Sequence, residues 1–62
     1  MTSRANFCDL YYGVVFRFRR SLKSTRYVKL HYDLARERDY PDRKIKGIKE
    51  YASVWVKKEE QQ

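Results

Sequence analysis

The sequence predicts an α+β domain: a small three-stranded antiparallel sheet, made of a hairpin over residues 9–32 and a C-terminal strand, with a short helical connection between the second and third strands. Three observations predict it. Large apolar side chains alternate with period two over Leu10–Phe18 and again over Val28–Leu34. Small polar residues separate these two runs at Ser21–Thr25. A Leu-Ala-Arg-Glu-Arg run with helix-forming composition then lies between Asp33 and Tyr40-Pro41.

In the first run, Leu10, Tyr12, Val14, Phe16 and Phe18 share one parity and Tyr11, Gly13, Val15, Arg17 and Arg19 the other. A helix would scatter the five large residues around its circumference, whereas a strand places them on one face. Ser21-Leu22-Lys23-Ser24-Thr25 closes the hairpin. In the returning strand, Val28, Leu30, Tyr32 and Leu34 alternate with Tyr27, Lys29, His31 and Asp33, although Tyr27, Leu30, His31 and Leu34 also fall at helical spacing. The predicted helix is about two turns, capped by Asp33 and stopped at Tyr40-Pro41. A second turn signal follows at Gly47.

Glu50–Lys57 reads as a strand, with Ala52, Val54 and Val56 opposite Tyr51, Ser53 and Trp55. The alternative is a C-terminal helix packed under the hairpin, since Ile45, Ile48, Ala52, Trp55 and Val56 cluster on one side of a helical wheel. That helix would strand Val54 on its polar side and set Glu59 and Glu60 at the unfavourable end of its dipole. Residues 1–6 and 59–62 are expected to fray. The whole chain, 1–62, is one domain.

At 62 residues a chain buries only about 60% of the surface it exposes when unfolded, so the core is thin. Hydrophobic residues at 42%, charged residues at 37% and aromatics at 16% argue for a folded chain rather than a disordered tail. Under the three-stranded reading, the apolar face of Leu10, Tyr12, Val14, Phe16, Phe18, Val28, Leu30 and Tyr32 has only Leu34, Ala35 and Tyr40 as cover. A second copy, forming a two-fold homodimer, is the expected remedy unless the C-terminal segment is helical and covers that face itself. A single cysteine and the lack of any apolar run near the ~20 residues of a membrane span predict a soluble, unprocessed cytoplasmic protein.

Cys8 and His31 each occur once, so the clustered ligands of a zinc site cannot be assembled within one chain. Nothing in the sequence sets these two side by side as a nucleophilic pair, and two glycines make no phosphate-cradling loop. No enzyme activity, metal or cofactor is expected. The positive signal is charge: a formal +7, with Arg17, Arg19, Arg20, Lys23, Arg26 and Lys29 in a stretch that lacks any acid. Arg43, Lys44, Lys46 and Lys49 form a second basic run.

In the predicted sheet the first cluster gathers at the hairpin tip, while Tyr11, Tyr27 and Trp55 lie on the outward face among cations. Rings that stack on bases beside cations that hold phosphates describe a nucleic-acid-binding surface, for DNA or RNA. The aromatic motif of four-stranded RNA-binding sheets, helix-turn-helix spacing and the basic-zipper heptad are absent. The alternative is an accessory or inhibitory protein that docks the same face on an acidic protein, because Tyr, Trp and Arg also dominate protein interfaces.

Overall fold

The computed structural model describes residues 2–21, 23–40 and 42–61. Leu22 of the predicted turn, Pro41 of the predicted helix stop, and Met1 and Gln62 of the predicted frayed ends lie outside them. Among the described residues, six short strands carry the fold: β1 (Thr2–Asn6), β2 (Val15–Phe16), β3 (Tyr27–His31), β4 (Leu34–Glu37), β5 (Lys46–Gly47) and β6 (Ser53–Lys57). Single 3-10 turns sit at Phe7–Asp9 and Lys58–Glu60. Strands β2-β3-β4-β5 form one antiparallel meander and β1-β6 a second antiparallel pair. An isolated bridge between Arg17 and Trp55 joins the two sheets.

The core follows from the register. Phe16 pairs with Tyr27, and directly paired residues share a sheet face. Their rings stack at 5.8 Å. Phe7 and Phe18 each meet Phe16 edge-on at 5.3 Å, and Phe18 meets Tyr27 at 4.9 Å. Such ring pairs contribute about 0.5–1.5 kcal/mol each beyond their buried area. Ala35 and Val54 complete the fully buried set, and Ala5, Leu10, Ile48, Ala52 and Val56 pack around it.

The α+β expectation is overturned: the domain is essentially all-β, and no α-helix occurs among its described residues. Asp33–Tyr40 is not helical. Its Leu34–Glu37 portion is β4, paired with β3 on one side and β5 on the other. Two turns of helix are marginal without packing, whereas the strand buries Ala35 and Glu37 while Arg36 faces out. Glu37 is buried at the price of an ion pair, accepting two hydrogen bonds from Arg43 Nη1 at 3.2 and 3.3 Å. Gly47 is not a turn residue but part of β5.

The predicted strand Leu10–Phe18 shortens to Val15–Phe16 plus the Arg17 bridge. A turn interrupts it: the Val14 amide donates to the Tyr11 carbonyl (3.2 Å), with Gly13 at φ +89° between them. Only glycine takes that conformation without strain. The inward and outward faces of β3 are also reversed. Tyr27 and Lys29 point into the core and are 8% and 3% exposed, while Val28 and Leu30 are half-buried. A one-residue difference in hairpin register exchanges every side chain between faces, and the register hangs on the loop.

The terminal segments lie in regular structure over the described residues. β1 pairs with β6 from Thr2↔Lys57 to Asn6↔Ser53, so the C-terminal strand joins the N-terminus rather than the predicted three-stranded sheet. This second sheet, with the Phe7 turn, covers Phe16. The bare apolar face that argued for a second copy is therefore replaced by an internal core, and Tyr12 and Tyr32 of that face lie exposed.

Candidate nucleic-acid interface

The pairing aligns cationic side chains across the outer surface. Trp55 lies opposite Arg4 in β1 and opposite Arg17 next to β2. Arg17 follows Phe16 and Arg26 precedes Tyr27, so the two flank the last β2–β3 pair. The Arg38 amide donates to the Arg26 carbonyl at 2.9 Å, extending the β3–β4 ladder. The result is one cross-strand row, Arg38, Arg26, Arg17, Trp55 and Arg4, running from one sheet to the other.

Two carboxylates are set between these arginines. Asp39 accepts a two-pronged contact from Arg26, with Nη2 at 2.7 Å and Nε at 3.2 Å, and lies 3.5 Å from Arg38 Nη1. The hydrogen bond to Asp39 is the main reason the Arg26 guanidinium is held above its ordinary pKa. Glu60 pairs with Arg17 Nη1 and lies 3.7 Å from Arg26 Nη1. Arg17, whose Nε also donates to the Ser24 carbonyl (3.2 Å), is buried by these contacts although it belongs to the outer face. Arg4 donates to Ser53 Oγ at 2.7 Å.

The C-terminal turn that delivers Glu60 is fastened by Gln61. The Val15 amide donates to Gln61 Oε1 (2.9 Å), and Gln61 Nε2 donates to the Val15 carbonyl (2.8 Å) and the Lys57 carbonyl (3.1 Å). The side-chain amide thus stands where a neighbouring strand's peptide would, satisfying the open edge of β2.

Beside the row, Arg36 pairs with Val28 and Val28 with Val15. These three, with Arg38, Tyr12, Gly13, Val14, Glu60 and Gln61, line an open groove of about 410 Å³. Tyr12 stacks on His31 at 5.7 Å with rings 14° apart, and His31 in turn lies 4.7 Å from Tyr32. Tyr11 stands 85% exposed on the same turn.

The structure separates the residues singled out from the sequence. Arg19, Arg20 and Lys23 are exposed on the loop after β2, and Arg20 lies 5.9 Å from the Trp55 ring centroid. Arg17, Arg26 and Trp55 fall in the row, and Tyr11 is exposed on its turn. Tyr27 and Lys29 are not on the outer surface at all. The Tyr27 hydroxyl accepts from Nζ of the exposed Lys46 in β5 (3.1 Å). The Lys29 ammonium donates to the Phe7 carbonyl (2.8 Å) and lies 4.4 Å from the Phe7 ring centroid, which compensates a buried cation.

Sequence reasoning missed Arg4, Arg36 and Arg38, because their segments were read as frayed end and helix. The signal for the last two was present: Arg36 and Arg38 alternate with Ala35 and Glu37 at the period of a strand. Among the described residues, no group of three His, Cys, Asp or Glu side chains is placed to hold a metal ion, and no helix is long and apolar enough to cross a membrane. No protein-family model, curated protein or solved structure matches this chain.

Proposed function

We propose that the domain is a non-enzymatic nucleic-acid-binding module whose contact surface is the outer face of the two joined sheets. The observation that carries this reading is the cross-strand row of arginines around Trp55, flanked by the exposed Arg19, Arg20 and Lys23. Arg4, Arg19, Arg20 and Lys23 contact phosphates; Arg17 and Arg26, paired with Glu60 and Asp39, keep the face rigid. Trp55 and Tyr11 supply ring surface. A regularly spaced cationic face of this kind suits a polyanion, whose phosphates recur along its length.

Titration with duplex DNA, single-stranded DNA and RNA at several salt concentrations tests it. About four phosphate contacts give a log–log salt slope near −4 on duplex DNA, and the Arg19→Ala, Arg20→Ala double variant reduces that slope by about two. A slope near zero, or a double variant that binds like the parent, refutes the proposal. Saturable binding to an acidic protein but to no nucleic acid would transfer the same face to the rival reading.

A further inference from the structure

We infer that the groove beside the arginine row is a subsite for one unpaired nucleotide, so that the domain prefers single strands to duplex; this rests on the nucleic-acid reading above. The accessible apolar part of the groove's floor is Val28, with Val15 buried beside it in the sheet. One wall carries Arg36 and Arg38 and the other Glu60 and Gln61. Its volume, about 410 Å³, lies in the range of small-ligand sites, roughly 300–1,000 Å³.

The chemistry of the walls assigns the parts of the ligand. The Arg36 guanidinium has no carboxylate partner among the described residues; it donates from Nη1 to the Glu37 carbonyl at 3.2 Å. It is therefore available to a phosphate. Glu60 on the opposite wall repels an anion, so the phosphate lies on the Arg36–Arg38 side and the base over Val28. At the groove's end Tyr12 is 62% exposed and already aligned with His31, offering a preformed ring on which a base continues the stack. A base within a duplex has both faces covered by its neighbours and only its edges open, so it can use neither the valine floor nor the tyrosine ring.

The test is fluorescence anisotropy with the full chain, a labelled thymidine 12-mer and a labelled 12-base-pair duplex. Tyr12→Ala and Arg36→Gln are each expected to weaken single-strand binding about fivefold or more while moving duplex affinity less than about twofold. Arg20→Gln, outside the groove, weakens both ligands alike. Circular dichroism confirms that each variant is folded, and Arg36→Gln, at a solvent-facing position, serves should Tyr12→Ala melt. Equal losses on both ligands, or no loss from either groove variant, overturn the inference while leaving the proposed function standing. A parent chain that binds duplex but not single strands does the same. A parent chain that binds neither overturns both.

Discussion

Replacing Glu60 by Gln tests how the C-terminal turn is held and how it acts on the basic face. The Arg17 side chain is 7% and the Glu60 side chain 14% exposed, so their contact is shielded from water. Breaking a buried ion pair by removing one partner costs about 3–5 kcal/mol. Glutamine keeps an oxygen that accepts from Arg17, and Arg17 keeps its bond to Ser24, so the loss shrinks toward that of one charge-assisted hydrogen bond, about 1.5–3 kcal/mol. The 3.7 Å approach to Arg26 adds little, because Arg26 is a third exposed and retains Asp39.

A loss of about 2–3 kcal/mol corresponds to roughly 10–20 °C in Tm for a domain this small. Urea unfolding followed by Trp55 fluorescence should show a lower midpoint with an unchanged slope. Nucleic-acid affinity measured below the melting range should move the opposite way, upward, because a negative charge has left the row. General loosening cannot produce that pair of signs. A Tm change under about 4 °C, or affinity that falls together with stability, refutes the reasoning.

Three further outcomes are expected. Tyr27→Ala removes a core ring and should cost about 3–5 kcal/mol in a denaturant melt, well above the cost of Val28→Ala on the outer face. Gly13→Ala meets no atom within 4 Å but forces a side chain into φ +89°, and should cost about 1–2 kcal/mol by the same assay. Partial desolvation and the neighbouring Asp9 carboxylate, whose Oδ1 lies 3.8 Å from Sγ, push the Cys8 thiol above its ordinary pKa. The thiol is therefore protonated at neutral pH, and its alkylation rate should rise only in the alkaline range. Asp9→Asn should move that rise to lower pH, and an unshifted profile would show that the carboxylate has no part in it.

What the sequence made legible was local. Period-two alternation correctly marks β3 and β6 as extended, and Phe16 and Val54 as apolar members of strands. The basic loop of Arg19, Arg20 and Lys23 was equally plain, because like charges close in sequence stay close in space. What it could not supply was pairing. Which face Tyr27 turns inward depends on a register fixed by a loop and by Gly13, and no periodicity encodes it. Leu34–Glu37 has helix-forming composition that a two-sided strand environment overrides. Arg4 and Trp55 lie near opposite ends of the chain, so their meeting in one row is visible only once β1 has found β6.

That last pairing has a kinetic consequence. Thr2 bonds across to Lys57, so β1, the first strand in chain order, has to wait for the last. Closing a loop of that length costs about 3–4 kcal/mol in chain entropy before any contact compensates it. Folding should accordingly be slow for so small a domain, in the millisecond-to-second range typical of non-local β topologies. During synthesis the β2–β3–β4 meander can assemble from neighbouring segments, while Phe16 stays uncovered until β6 leaves the ribosome. The exposed cations of the loop after β2 would keep that half-built intermediate in solution during the wait.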